Sequence, residues 1–568
     1  MLRKIIAIAL LAANTSQVMS AEFDEQRDSE KPNIVLVVAE DLSARIGAYG
    51  DDVARTPNLD SLANEGVMFN NVYTMAGVCA PSRAGLITGA PPHRVGLQHM
   101  RTADREYFGV PPAQVKAYPE ILRKNGYFTY NDIKTDYQFA KGAVGVGPFT
   151  IWSANGNVRN PEDSLVPSAW RTHDLQGKPF FLNLNPFITH ESALFIPENT
   201  PPHLQQMNQI SEGIRANYQF STPDLDKITV PPYLVDTKET RQEIARFYEN
   251  IEVMDQQVGA VIENLKKDKL WDNTIFIFTT DHGDALPRSK REGLVSGIKV
   301  PMIMHIPEKY KPDWMPGSGQ TIDRLVSFED IAPTLLGFAG IERLPYMQGI
   351  DLSDDAPVKR HYIFADRARM DAVDLRSYYV LDEKYQYVRN YATQPNGSEI
   401  KFRNVLSSVK ALNNAKASNT LTAQQKKWFD SKVPEELYDL SKDAEQLVNL
   451  ASNPDYAHVL SRFREQLDSW RNLGSDYNLI EESVLIQDSG NRHDAQQTTL
   501  PAVAEIDEIT GKVFIAPRTE GASIGYSYDN KVWQVYDKSF VPDSAHNKLF
   551  IKAVRYGWAE SEVITLMY

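Results

Sequence analysis

The chain of 568 residues contains one cysteine, Cys79, so no internal disulfide staples the fold. Long apolar runs are scarce. Residues 5–13 are apolar but too few to cross a bilayer, and no later stretch is long enough. A surplus of positive charge is missing too: 60 Lys and Arg stand against 74 Asp and Glu, a formal charge of −14. That excludes a general nucleic-acid binder, which needs a basic footprint. It leaves room for an anionic substrate, because a few local cations can hold one where salt screens long-range repulsion. Internal repeats and low-complexity tracts are absent as well.

What is present begins with an export signal. Met1-Leu2-Arg3-Lys4 is a basic head, residues 5–13 an apolar core, and Val18-Met19-Ser20 leads to a cleavage point before Ala21. Residues 1–20 are expected to be removed, leaving an exported protein, periplasmic or secreted, with no membrane span. The remainder, with 42% hydrophobic and 24% charged residues over the whole chain, has an ordinary globular composition. Its length allows one large core plus a smaller domain or two.

Two apolar runs end in acids. Ile34 to Ala39 is continuous, as in a strand buried on both faces, and it is followed by Glu40-Asp41. Ile275 to Phe278 is similar and leads through Thr279-Thr280 to Asp281-His282. Ligands in open α/β sheets bind beyond the carboxyl ends of strands, so neighbouring strands would bring these four residues to one rim. Such acids suit a hard cation. Asp41 read alone serves equally as a helix N-cap. Between the two strands, Ile244, Phe247, Ile251, Met254, Val258, Ile262 and Leu265 recur at helical spacing and mark one packed face. A third strand, Pro179 to Leu184, precedes His190.

Cys79 opens Cys79-Ala80-Pro81-Ser82-Arg83, followed by Leu86-Ile87-Thr88-Gly89. A free cysteine is most often a small buried apolar residue. Here Pro81 presets φ at a helix start and Arg83 brings a fixed cation close. This run resembles the signature of the type I sulfatases of the alkaline phosphatase superfamily. The resemblance spans residues 31–470. It implies that Cys79 is oxidised to formylglycine by a formylglycine-generating or anaerobic sulfatase-maturating enzyme, and that the aldehyde hydrate is the nucleophile. It implies one Ca2+ held by Glu40, Asp41, Cys79, Asp281 and His282, an oxygen-rich shell that suits calcium better than zinc. Glu40 departs from the family's usual aspartate. Arg83 would hold the hydrate, Lys134 and Lys290 the sulfuryl oxygens, and His190 would act as general acid, with Asp281 accepting the attacking proton. Asp136 stands where many members have histidine, and Ala90 replaces a usual arginine. Arg101 and Arg288 are expected to touch the substrate, Arg288 and Arg291 being alternatives to Lys290.

The implied fold is an alkaline-phosphatase-like α/β sandwich, with a large mixed sheet flanked by helices. A catalytic domain over 31–375 and a smaller α+β subdomain over 376–480 are expected. Five strand-like runs beyond residue 495 suggest an appended small β-sandwich, 495–568. Residues 399–433 are polar and read as an insertion or loop. Segments around Arg101, Lys134 and Lys290 most resemble bacterial sulfatases acting on marine algal polysaccharides, carrageenan in particular. The expected reaction is hydrolysis of a sulfate ester on such a glycan. A phosphonate or phosphodiester hydrolase, a sulfamidase and a non-catalytic glycan binder are the alternatives.

Overall fold

A computed structural model describes residues 31–140, 145–156, 168–196, 200–392, 400–490 and 495–568. The expected signal peptide lies outside these residues. The strands of the large sheet are β1 (Asn33–Ala39), β2 (Val67–Tyr73), β3 (Phe128–Asn131), β4 (Ala154–Asn155), β5 (Phe180–Leu184), β6 (Thr274–Thr280), β7 (Lys299–His305) and β8 (Gln320–Ser327). They run in the order β4-β3-β5-β1-β6-β7-β2-β8. β1 lies parallel to β5 and β6, whereas β7 is antiparallel to β2 and β6, so the sheet is mixed. β1 and β6 are buried along their whole length, which explains their uninterrupted apolar sequence.

Two hydrophobic layers cover the sheet. One contains Ile34, Leu36, Phe181 and Ile277 together with Leu86, Leu335 and Tyr118. The other contains Val35, Val37, Leu182 and Phe278 with Ile244, Phe247, Ile251 and Val258. The alternation of β1 between them is the period-two signature of a strand sandwiched by helices. The helix Lys238–Lys267 supplies the second set, and its N-cap Thr237 accepts the Thr240 N–H at 3.1 Å.

A second, antiparallel sheet runs β12-β11-β10-β9, with β9 Ile363–Met370, β10 Val373–Leu381, β11 Tyr385–Asn390 and β12 Glu435–Asp439. It begins at Ile363, ahead of the boundary expected at 376, which falls inside β10. β9 reads IFADRARM, and its interleaved charges hide it from a search for apolar runs. Part of the expected loop 399–433 is helical. Ser407–Ala417 forms a helix whose Ser408 hydroxyl donates to Glu243 at 2.5 Å, and Leu412 and Trp428 pack with Tyr233 and Leu234.

At the C-terminus, β13 (Val503–Ile506) pairs with β14 (Val513–Ala516). β15 (Ser523–Ser527), β16 (Gln534–Val535), β17 (Lys548–Val554) and β18 (Ile564–Met567) form a sheet in the order β16-β15-β17-β18. Ala502, Val513, Ile515, Ile524, Leu549, Ile551 and Ala553 form their shared core. β13 is the strand absent from the five expected runs.

Candidate active site

Register builds the rim. Ala39 pairs with Thr280, so β1 and β6 end level and deliver Glu40-Asp41 and Asp281-His282 side by side. The Asp281 N–H donates to Ala39 O at 2.9 Å, and the Asp41 N–H donates to Asp281 Oδ1 at 3.1 Å. Asp41 takes a left-handed φ of 47°, which a short polar side chain tolerates better than most.

Cys79 is the first residue of the helix Cys79–Thr88, and the whole helix is buried. Pro81, expected at the helix start, lies in the first turn, where a missing N–H costs nothing. Just before it, a Cβ on Gly77 would lie 1.9 Å from Glu292 O, so only glycine lets the loop carrying Lys290 and Arg291 close over the cysteine segment. The Cys79 Sγ sits 3.3 Å from His282 Nε2, 3.8 Å from Asp41 Oδ1 and 3.9 Å from Glu40 Oε2.

Cations interleave with the acids. Arg83 donates from Nε to Asp281 Oδ2 at 2.9 Å, from Nη2 to Glu40 Oε1 at 2.6 Å and from Nη1 to Asn185 Oδ1 at 2.5 Å. Lys134 donates to Glu40 Oε2 and lies 3.7 Å from Asp136 Oδ2. Lys290 donates to Asp41 Oδ2 at 2.6 Å and approaches Glu191 Oε1 at 3.3 Å. His282 Nε2 is 3.0 Å from Asp41 Oδ1.

His190 follows β5 and stacks on Phe187, with centroids 5.0 Å apart. Its Nδ1 lies 2.9 Å from the Ser192 hydroxyl and 3.3 Å from the Ser192 N–H, so Ser192 engages that nitrogen and leaves Nε2 for other partners.

Burial and mutual proximity shift these groups. Burial and Asp281 raise Glu40, and Lys134 and Arg83 only partly offset this. Burial would raise Asp41 too, but Lys290, His190 and His282 hold it well below the usual carboxylate range. Burial would lower His282, yet Asp281, Asp41 and Cys79 raise it to about 10. Burial, Lys290 and Lys134 lower His190 well below the usual imidazole range, against the pull of Asp41.

Among the described residues, two overlapping groups of buried donors have mutual separations within 4.8 Å. One is Asp41, Cys79, Asp281 and His282; the other is Glu40, Asp41, Cys79 and His190. Calcium–oxygen distances of about 2.3–2.6 Å fit a cation between donors so spaced. A bound cation would take the place of the proton on His282.

Other expected residues stand apart. Arg288 is buried, donating to the carbonyls of Glu445 and Gln446 at 2.7 and 2.6 Å, with its guanidinium over the Tyr233 ring. These bonds tie the loop that carries Lys290 to the segment around Glu445 and Gln446. The Arg101 side chain is 28% exposed and lies 3.6 Å from Asp136 Oδ1. Glu191, next to His190, was not singled out by sequence reasoning. Its N–H donates to Asp41 Oδ2 at 2.7 Å, and its carboxylate takes Arg291 at 2.7 Å and Arg403 at 3.5 Å as well as Lys290. The available signal was an acid directly after a candidate catalytic histidine.

The site thus places a buried thiol among acids and cations at the carboxyl ends of β1 and β6. The sulfatase family model matches residues 32–341, more than half of the 568. The chain belongs to the sulfatase family. It is 36% identical to an ulvan-active sulfatase of Formosa agariphila over 94% of this chain and 91% of that protein. It is 26% identical to human N-sulphoglucosamine sulphohydrolase, over 77% of this chain and 89% of the relative. A structure solved with its substrate D-glucosamine-2-N,6-O-disulfate shares the fold at a TM-score of 0.55. That structure is 16% identical, and the match covers 80% of this chain and 100% of the other. The enzyme is a sulfatase, and no helix among the described residues is long and apolar enough to cross a membrane.

Proposed function

We propose that this sulfatase removes sulfate from an algal polysaccharide or its oligosaccharides, through formylglycine formed at Cys79 and one Ca2+. The observation that carries this reading is the setting of Cys79. Its wholly buried Sγ lies 3.3 Å from His282 Nε2 and within 3.9 Å of two carboxylates, a costly place for an idle thiol. Glu40, Asp41, Asp281, His282 and the modified Cys79 would hold the cation, which when bound polarises a sulfuryl oxygen and acidifies the attacking hydroxyl. Formylglycine supplies that hydroxyl as an aldehyde hydrate.

The chain's own residues do the rest. Arg83, fixed by Asp281, Glu40 and Asn185, orients the nucleophile. Lys134 and Lys290 bear on the sulfuryl oxygens, where fixed charges need no reorganisation as negative charge shifts. Asp281, held ionised by His282, Arg83 and Lys134 against burial, accepts the attacking proton. His190, when protonated, donates the Nε2 proton to the leaving sugar oxygen and is left as the neutral ring. Glu40, Asp41 and Asp281 balance Arg83, Lys134 and Lys290, so a divalent cation leaves net positive charge for a sulfate monoester.

Arg101, partly exposed where the other cations are buried, is a substrate contact; Arg288, engaged elsewhere, is not proposed again. For the glycan, sequence segments favour carrageenan, and the 36% identical relative favours ulvan. Released sulfate measured on both glycans separates them. We place the enzyme outside the cytoplasm on its N-terminal sequence, and its maturation partner is a formylglycine-generating or anaerobic sulfatase-maturating enzyme. The test of the reading is the peptide carrying residue 79 in active enzyme. It should be about 18 Da lighter than the cysteine form, a covalent change with functional weight. Full activity with an unmodified thiol would overturn the proposal.

A further inference from the structure

The C-terminal β-strands send an aromatic side chain into the hydrophobic layer of the large sheet. Tyr556, just past β17, is wholly buried and packs within the layer that holds Tyr118, Tyr137 and Phe139, not within the core of its own strands. Its ring stacks on Phe139 with centroids 4.9 Å apart and planes at 19°. Phe139 in turn stacks on Tyr137 at 5.5 Å. Both belong to the segment that begins with Lys134 and Asp136.

The Tyr556 hydroxyl donates to Glu120 Oε2 at 2.8 Å, and Glu120 also accepts from Ser523 at 2.7 Å and Thr150 at 2.5 Å. The same segment is also held by hydrogen bonds to Gln138. The Gly109 N–H donates to Gln138 O at 2.8 Å, and the Thr102 N–H donates to Gln138 Oε1 at 3.1 Å. Gly557 has φ +86°, and a Cβ there would lie 2.4 Å from Gly109 O, so the turn after Tyr556 seats directly on that clamp.

We propose that Tyr556 is a positioning residue for Lys134: the terminal strands complete the sulfate cradle from behind, through Phe139 and Tyr137. This rests on the reading of Lys134 as a sulfate-binding cation. A flat ring stack transmits position because aromatic pairs hold preferred separations and a packed interior has little slack. Without it, the segment keeps its hydrogen bonds to Gly109 and Thr102 and the Lys134–Glu40 ion pair, but loses the packed wall behind Tyr137 and Phe139, so the Lys134 ammonium is held less closely over the sulfuryl group.

The test is a double-mutant cycle on the full chain, with inorganic sulfate binding followed by calorimetry and kcat/KM on an activated aryl sulfate. Tyr556→Leu should weaken sulfate binding about 10-fold, within the range for coupled neighbours. Tyr556→Phe keeps the stack and should stay within about twofold. In a Lys134→Ala background, Tyr556→Leu should cost nothing further. The same fold-loss in both backgrounds would overturn the proposal, because a merely structural defect does not depend on Lys134. Unchanged sulfate affinity in Lys134→Ala alone would instead contradict the reading of Lys134. Should Tyr556→Leu not fold, Phe139→Leu breaks the same stack from the other side and carries the same expectations.

Discussion

Glu40 and Glu120 are both wholly buried carboxylates, and they behave in opposite ways. Burial would raise Glu120, but Lys124, Lys116, Thr150 and Ser523 bring it down to about 2. Its oxygens accept from Thr150, Ser523 and Tyr556. Glu40 has Arg83 and Lys134 as partners, yet burial and the nearby Asp281 raise it. One acid sits in a closed network that ties the terminal strands to the catalytic core. The other sits among like charges, where burial and Asp281 outweigh the pull of Lys134 and Arg83 on it. Buried charge of the first kind holds structure, and on our proposal that of the second kind serves to hold the cation.

The largest effect should come from the nucleophile at the centre of the crowded cluster. Cys79→Ser should fold and bind sulfate, but lose on the order of 10³-fold or more in turnover, as expected when an activated nucleophile is removed. Released sulfate measures it, and a variant with wild-type rates would break the comparison at once.

His190→Ala comes next. It should lose roughly 10²–10⁴-fold on a sulfated oligosaccharide, whose alcohol leaving group needs a proton, and far less on an activated aryl sulfate. Activity that needs the protonated ring falls as pH rises through the His190 pKa. Burial and Lys290 lower that pKa in the free enzyme, and a bound sulfate ester offsets Lys290. The basic limb should therefore lie at higher pH for kcat than for kcat/KM, and vanish in His190→Ala. Equal losses on both substrates would remove His190 from proton transfer.

Lys290→Ala should cost about 10²–10³-fold in kcat, the usual scale for a lost charge-stabilising donor, with little change in fold. The smallest catalytic effect sharpens the contrast. Glu120→Gln should destabilise the protein by about 3 kcal/mol, as breaking a buried ionic network does, while folded enzyme keeps near wild-type turnover. Glu40→Gln should cost less stability in denaturant unfolding and far more activity. The reverse ranking would mean that the two acids have been assigned the wrong roles.

Much of this was legible in the sequence because burial on both faces leaves a plain mark. β1 and β6 are uninterrupted apolar runs ending in acids, and the helix Lys238–Lys267 shows its packed face at helical spacing. The motif around Cys79 gave the reaction class. What was hidden depends on the third dimension. Glu191 matters because the chain after β5 brings it between Lys290 and Arg291, which no local pattern records. Arg288 looked like a substrate contact from its neighbours, but its left-handed φ of 68° accompanies a side chain committed to the Glu445 and Gln446 carbonyls. β9 and β13 escaped because one carries interleaved charge and the other is four residues long and half exposed. Tyr556 reads as one more aromatic at a strand end, and only packing shows that it lies in the hydrophobic layer of the large sheet.

The most direct test of the central claim is calcium binding to the chelated enzyme, followed by calorimetry. The account predicts one site in the wild type, a loss of about 10-fold or more in affinity in Asp41→Asn, and unchanged binding in Glu120→Gln. Activity should return in step with calcium occupancy. Full sulfatase activity after exhaustive removal of metal, or equal calcium affinity in the wild type and Asp41→Asn, would contradict it.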